Sequence, residues 1–183
     1  WDYSPEQITA INQLLKENVV LLRGPGGVGK TTVLKAIVTV MKEKGYSIAA
    51  CALAGKAADN LTKVTGLRST TIHSLLLSHG EGINEDVVIV DEISMVDVTL
   101  FAKLVGAISK GTKLIMVGDS AQLDAIGIGV MKGILNSNKL TVVTLNKIHR
   151  QAKNSAIITH SLQFRSGNIP TGLSQKSNWH MMG

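Results

Sequence analysis

The residues with the clearest chemical potential lie at positions 24–32, GPGGVGKTT, where glycines lead into a lysine and two threonines. The segment matches the pattern G-x-x-x-x-G-K-[ST] at Gly24, Gly29, Lys30 and Thr31. Such a loop wraps its N–H groups around phosphates, the lysine reaches the β- and γ-phosphates, and the threonine hydroxyl holds Mg²⁺. A glycine-rich turn that binds nothing is the alternative. The predicted phosphate-binding set is Gly24, Gly26, Gly27, Val28, Gly29, Lys30, Thr31 and Thr32.

A second group of polar residues follows two apolar runs. Asp91 and Glu92 come directly after the run 87–90, so we expect Asp91 to hold Mg²⁺ and Glu92 to polarise the water that attacks the γ-phosphate. The alternative is that this acidic pair caps the next helix. Gln122 follows the run 113–117 and offers a neutral hydrogen-bonding group that can sense the γ-phosphate.

The elements that must position these residues alternate between strands and helices. Short apolar runs predict strands at 19–22, 47–53, 87–90, 113–117 and 141–145. Helical spacing predicts helices near 5–18, 33–44, 70–77, 100–108 and 155–165, with a helix start near 54 and at most a short helix within 124–139. Strands apolar on both faces belong to buried parallel sheets. We therefore predict an α/β domain with a mostly parallel sheet and helices on both faces, whose ligands bind at the carboxyl ends of the strands.

The first predicted helix begins with a recognisable capping sequence. Ser4 is placed to cap it, Pro5 suits its first position, and Gln7 stands where a capping-box glutamine belongs.

Composition sets wider limits on the chain. With 183 residues, 44% of them hydrophobic, it can bury one substantial core. The net charge of +6 suits a polyanionic partner. The single cysteine, Cys51, lies in an apolar run and is expected to be a buried, inert thiol. A single cysteine fits a reducing, cytoplasmic setting. No apolar run is long enough to span a bilayer, so we expect no membrane partner.

Six segments together resemble the motifs of superfamily 1 helicases, and most resemble those of the RecD-like branch, the α-subunit type of exodeoxyribonuclease V. The likeness extends from residue 4 to about residue 170. The segments are GPGGVGKTT at 24–32, ALAGKAA at 52–58, TIHSLL at 71–76, IVDEISMVD at 89–97, VGDSAQLDAIGIG at 117–129 and IHRQAKNS at 148–155.

The resemblance implies a RecA-like P-loop domain, the first of two motor domains in an ATP-dependent DNA helicase that uses ATP and Mg²⁺. By motif, Lys30, Glu92, Gln122 and Arg150 are the catalytic positions, with Gln122 coupling nucleotide state to DNA and Arg150 contacting the γ-phosphate. A surface arginine is the alternative for Arg150. Gln7 matches the glutamine that reads adenine, although the capping box competes for the same side chain.

The resemblance also implies single-stranded DNA across the top of the domain, contacted at Gly55, Lys56, Thr71 and His73. Thr71 could instead cap a helix, and His73 could be a core or helix-cap histidine. The chain departs from the family pattern at Leu53-Ala54, where Pro-Thr is usual, and at Asp124, where a proline is usual. Aromatic residues make up only 3% of the chain, so we expect backbone contacts rather than base stacking.

We expect residues 1–170 to form the motor domain and residues 171–183 to be a tail leading towards the second RecA-like domain. Single-stranded DNA, that second domain and subunits of a nuclease complex are the expected partners. An RNA helicase of the same superfamily is one alternative. The other is a nucleotide-dependent binding module whose ATPase is vestigial.

Overall fold

The computed structural model describes residues 3–80, 82–119 and 129–146. Its strands are β1 (Val19–Arg23), β2 (Ile48–Ala52), β3 (Ser69–Thr71), β4 (Val87–Asp91), β5 (Lys113–Gly118) and β6 (Thr141–Thr144). Its α-helices are α1 (Pro5–Lys16), α2 (Lys30–Glu43), α3 (Gly55–Thr65), α4 (Ile72–His79), α5 (Val98–Ala107) and α6 (Val130–Ser137), and a 3₁₀ turn covers Ile93–Met95.

The strands form one six-stranded sheet in the order β3-β2-β4-β5-β1-β6, and every pairing is parallel. One face packs against α1, α2 and α3, and the other face packs against α4, α5 and α6. Burial on both faces explains why the four inner strands, β1, β2, β4 and β5, are almost wholly apolar. The predicted α/β fold with a covered parallel sheet is confirmed.

Both ends of α1 are fixed by side chains. Ser4 Oγ accepts a hydrogen bond from the Gln7 N–H at 3.3 Å, and Gln7 Oε1 accepts one from the Ser4 N–H at 3.0 Å, so the predicted capping box is confirmed. At the other end, the Lys113 ammonium donates to the last carbonyls of the helix, including Leu15 O at 3.2 Å. These contacts tie α1 to the start of β5.

The largest boundary differences concern two helices. A helix was predicted from residue 70, but residues 69–71 form the edge strand β3, and the helix begins only at Ile72. This strand is polar and short, so its sequence carries little signal, and pairing with β2 decides its conformation. The second helix begins at Lys30, three residues before its first predicted position.

Burial raises the pKa of the Cys51 thiol to about 12, which confirms the expected inert cysteine. Within the three ranges that the structure describes, no helix combines the length and apolar character needed to cross a bilayer.

The edge of the sheet opposite the carboxyl ends of the strands is held by Ser47 and Asp86. Asp86 Oδ2 accepts from the Ser47 hydroxyl and from the Ser47 N–H, each at 2.7 Å, while the Asp86 N–H donates to Ser47 Oγ at 2.9 Å. The hydroxyl and the N–H of Ser47 hold the pKa of Asp86 below its ordinary value.

We predict that Asp86→Asn lowers the free energy of unfolding at pH 7. A carboxyl whose pKa is depressed by folding stabilises the fold above its unfolded pKa, and this stabilisation is lost as the pH falls through the folded pKa. The difference between variant and wild type should therefore shrink on acidification, as measured by urea unfolding from pH 7 to pH 3. Asp59→Asn, at an exposed position on α3, is the control; a pH-independent deficit in Asp86→Asn would contradict the assignment.

Candidate nucleotide-binding site

The sheet order brings three of the predicted site segments together. The carboxyl end of β1 lies beside that of β5, and β4 lies on the other side of β5. A cleft of about 180 Å³ opens where these ends meet the amino end of α2 and the side of α3. It is lined by Lys30, Thr31, Leu34, Asn60, Leu61, Val64, Asp91, Glu92, Val117, Gly118 and Asp119.

The glycine-rich loop is fixed at its first residue. Gly24 is buried, and a Cβ atom there would lie 2.5 Å from the carbonyl oxygen of Leu145 and 2.9 Å from Val28 Cγ2. Further along, Gly29 has φ 88° and forms the N-cap of α2, a left-handed conformation that favours glycine. The loop therefore requires glycine at Gly24 for space and at Gly29 for backbone conformation.

The side chain of Val28 points into the hydrophobic core. It is 1% exposed and belongs to the core between the sheet and the helices α1, α2 and α3. Its predicted place in the phosphate-binding set therefore depends on its backbone, while its side chain anchors the loop to the core.

Lys30 lies at the first position of α2 and its side chain folds back over the loop. Its ammonium donates to the carbonyl oxygens of Gly24 and Pro25, the latter at 3.1 Å. The ammonium therefore bonds to carbonyl oxygens of the loop, whereas a bound nucleotide needs its charge on the phosphates. A triphosphate must therefore draw the ammonium away from the loop carbonyls. At the start of the helix, Thr31 is exposed and Thr32 is half-buried.

The acidic pair lies at the end of β4. Asp91 Oδ1 accepts a hydrogen bond from the Glu92 N–H at 2.8 Å. Burial raises the pKa of Asp91, and the Glu92 N–H and the charge of Lys30 oppose this rise. Burial, followed by the negative charge of Asp91, raises the pKa of Glu92. Oxygen ligands suit Mg²⁺, and the Thr31 hydroxyl and the Asp91 carboxylate both line the cleft.

Glu92 has a left-handed backbone, with φ 56° and ψ 39°. Such a conformation is uncommon for a residue with a side chain and tends to occur at functional sites. Its side chain makes no cap hydrogen bond to the 3₁₀ turn that follows, whereas Asp97 caps α5 by accepting from Thr99 N–H at 2.8 Å. The alternative of a capping role for the acidic pair is therefore wrong for Glu92.

The sequence of the chain matches a known protein family over nearly its whole length. The family model described as an AAA domain matches residues 2–181. The chain belongs to the AAA domain family. This AAA domain is 32% identical over 183 residues to the ATP-dependent RecD2 DNA helicase of Deinococcus radiodurans, with 96% of the chain and 26% of the relative covered.

Two further relatives agree. The RecBCD enzyme subunit RecD of Buchnera aphidicola is 31% identical over 218 residues, with 85% of the chain and 36% of the relative covered. The Pif1 helicase of Candida albicans matches with a TM-score of 0.71 and 25% identity, over 93% of the chain and 45% of that structure. The predicted RecA-like fold and the resemblance to RecD-like superfamily 1 helicases are confirmed. The chain spans about a third or less of the length of the two curated relatives.

The predicted DNA-contacting residues of the AAA domain lie along the same carboxyl edge, after the adjacent strands β2 and β3. Gly55 and Lys56 are exposed in the first turn of α3. Thr71 caps α4, because its hydroxyl accepts from the Ser74 N–H at 3.1 Å. His73 is exposed in the first turn of α4, so the alternative of a core histidine is wrong. The structure thus places these four residues at the same edge of the sheet as the cleft, although none of the four lines it.

The structure does not test the predicted nucleotide contacts of three residues. Gln122 and Arg150 lie outside the described residues, and their roles stay predictions. Gln7 is 2% exposed and its Oε1 atom bonds the Ser4 N–H, so the capping role is confirmed and the adenine contact stays a prediction.

Two polar residues that line the cleft were given no role from the sequence, although the segment containing Asp119 was expected beside the site. Asp119 is 6% exposed and follows β5, so its position after an apolar strand was an available signal. Asn60 comes from the middle of α3. Nothing in the sequence marks it, because it reaches the cleft only through the packing of α3 beside α2.

We predict that Gly24→Ala destabilises the domain by roughly 1–3 kcal/mol, because the added methyl group meets a backbone carbonyl that cannot rotate away. The melting temperature should fall by about 2–4 °C for each kcal/mol, as measured by differential scanning calorimetry. Gly26→Ala is the matched control, since a Cβ atom at Gly26 has no neighbour within 4 Å. Equal melting temperatures for the two variants would show that the close approach at Gly24 carries no strain.

Proposed function

We propose that this chain is the ATP-binding and ATP-hydrolysing first motor domain of a DNA helicase or translocase that moves on single-stranded DNA. The observation that carries the proposal is the convergence of the glycine-rich loop, Lys30, Thr31, Asp91 and Glu92 on one cleft at the carboxyl edge of the sheet. We further propose that residues 1–170 form this domain, that residues 171–183 lead onward, and that a second RecA-like domain closes on the cleft.

Binding of ATP begins with the loop and α2. The N–H groups of the loop and the positive end of α2 face the phosphates. The Lys30 ammonium exchanges the carbonyls of Gly24 and Pro25 for β- and γ-phosphate oxygens. The Thr31 hydroxyl and the Asp91 carboxylate would hold Mg²⁺, which would supply positive charge against the phosphates.

Hydrolysis needs a base beside the γ-phosphate, and we assign this role to Glu92. Its carboxylate accepts a proton from a water molecule as the water oxygen bonds to the γ-phosphorus atom. The bond between that phosphorus atom and the bridging oxygen breaks, and ADP and inorganic phosphate leave. The short connection from β4 and the left-handed backbone at Glu92 support the assignment, because they aim the carboxylate into the cleft rather than towards the 3₁₀ turn.

Gln122, Arg150 and Gln7 complete the proposed site. We assign Gln122 to nucleotide sensing, Arg150 to the γ-phosphate and Gln7 to adenine, all by motif. For Gln7 the contact must coexist with the hydrogen bond that its Oε1 atom already makes.

The DNA track is proposed to run along the edge formed by Gly55, Lys56, Thr71 and His73. Ala54 gives α3 no side-chain cap, so the first turn of α3 presents its N–H groups and the Lys56 ammonium to a phosphate. Gly55 leaves open space, with no atom within 4 Å of a Cβ atom placed there. Such contacts bind the sugar-phosphate backbone of a DNA strand and give little sequence specificity.

Partners follow from the relatives. Buchnera aphidicola RecD is named as a subunit of the RecBCD enzyme, and we therefore include the subunits of a nuclease complex among the proposed partners.

We predict that Lys30→Ala weakens binding of a fluorescent ATP analogue with Mg²⁺ by roughly ten- to a hundredfold, because charge-assisted hydrogen bonds to phosphate are lost. Fluorescence titration of the 183-residue chain measures this. Lys35→Ala, an exposed lysine one turn further along α2, is the control. Unchanged affinity in Lys30→Ala would refute the nucleotide site.

We predict that Glu92→Gln keeps the affinity for the ATP analogue and lowers the rate of ATP hydrolysis by roughly 10²–10⁴-fold, because the amide cannot accept the proton. Release of phosphate in single-turnover experiments measures the rate. Wild-type turnover in Glu92→Gln would remove the general-base assignment while leaving the binding site intact.

We predict that Lys56→Ala weakens binding to single-stranded DNA and reduces the slope of log affinity against log salt by about 0.7, the value for one phosphate contact on a single strand. Lys63→Ala is the matched control, since Lys63 is an exposed lysine in the last turn of the same helix. Fluorescence anisotropy with labelled DNA and RNA oligonucleotides gives both slopes. Tighter binding to RNA than to DNA would instead favour an RNA track.

A further inference from the structure

We propose that Asn60 of α3 positions the γ-phosphate and the attacking water, and that α3 thereby couples DNA contact at Lys56 to the ATP cleft. The inference rests on the proposed function and deepens it. It adds a residue that none of the motifs contains and a physical link between the two proposed ligands.

The first observation concerns the chemistry of the cleft lining. Its polar side chains are one ammonium, one hydroxyl, three carboxyl groups and the Asn60 amide: Lys30, Thr31, Asp91, Glu92, Asp119 and Asn60. An amide both donates and accepts hydrogen bonds without bringing charge. It can donate to a γ-phosphate oxygen while it accepts from the water that Glu92 deprotonates. A further carboxylate at this position would repel the phosphate.

The second observation is the position of Asn60 on α3. Lys56, Asn60 and Val64 are spaced four residues apart, so they lie on one face of the helix about one turn from each other. Asn60 and Val64 line the cleft, and Lys56 is exposed in the first turn of the helix. The face of α3 that borders the ATP cleft therefore leads directly to the proposed DNA contact.

The third observation is that one continuous helix, Gly55–Thr65, joins the two proposed contacts. Ala57, Ala58 and Leu61 anchor it in the domain with buried side chains, and Leu61 also lines the cleft next to Asn60. Side-chain bonds brace its second half, where Thr62 Oγ1 donates to Ala58 O at 3.0 Å and Thr65 Oγ1 donates to Leu61 O at 2.7 Å. A phosphate that draws the first turn of α3 towards it therefore shifts Asn60, because an intact helix transmits the displacement along its axis.

The test measures linkage between nucleotide and DNA rather than activity alone. The affinity of the chain for a labelled single-stranded oligonucleotide is measured with and without Mg²⁺ and a non-hydrolysable ATP analogue. In the wild type, the two affinities are expected to differ by roughly fivefold or more, the lower end of ordinary coupling between sites. In Asn60→Ala this ratio should fall to near one, with the DNA affinity in the absence of nucleotide unchanged.

Turnover and controls sharpen the result. Asn60→Ala should lower the hydrolysis rate by roughly ten- to a hundredfold, with a smaller effect on analogue affinity. Asn60→Asp should weaken analogue binding as well, because it adds negative charge to the cleft. Asp59→Ala, at an exposed neighbouring position of α3, should match the wild type in every measurement.

The outcomes separate the two proposals. Absence of linkage in the wild type, or full linkage in a folded Asn60→Ala variant, overturns the role of Asn60 even when Lys30→Ala still weakens nucleotide binding. Loss of the proposed function would show differently, as a wild-type chain whose weak analogue binding is indifferent to Lys30→Ala.

Discussion

The close approach of Gly24 to the backbone of Leu145 is the constraint on which the site depends. The Leu145 N–H donates to Arg23 O at 2.9 Å, and the Gly24 N–H contacts Gly118 O at 3.4 Å. The first loop residue is thus fixed between the chain after β6 and the end of β5. Because the origin of the loop is fixed, the next five residues lead into α2 at a fixed place beside the cleft.

The electrostatic balance of the cleft follows from that geometry. Buried or partly buried carboxyl groups at the ends of β4 and β5 line the same cleft as Lys30. Burial raises the pKa values of Asp91 and Glu92, and the positive charge of Lys30 opposes the rise at Asp91. The cleft is therefore poised to accept a cation together with a polyanion, and movement of Lys30 from loop to phosphate changes the environment of both acids.

Helix α3 belongs both to the proposed DNA-binding edge of the sheet and to the lining of the cleft. Helix α3 begins at the edge with Gly55 and borders the cleft with Asn60. The strand order makes this possible, because β2 lies beside β4 and delivers α3 next to the acidic pair. A motor needs such an element, since nucleotide chemistry at one site must change the grip on the track at another.

The sequence alone determined the chemistry of the loop and the class of the fold. Gly29, Lys30 and Thr31 act locally, through backbone conformation and short-range contact, so their spacing was sufficient to predict a phosphate site. Apolar runs that alternate with helical spacing were sufficient to predict a covered parallel sheet. The capping box at Ser4 and Gln7 was predictable for the same reason, because each of its hydrogen bonds spans three residues.

Only the tertiary structure decided which distant residues meet. Edge strand β3 forms because β2 offers it a partner, and its polar sequence gave no sign of this. Gly24 is required for space because Leu145, far along the chain, lies against it. Asn60 enters the cleft because α3 packs beside α2. Such contacts depend on strand order and helix packing, which sum many weak, non-local interactions that no single stretch of sequence records.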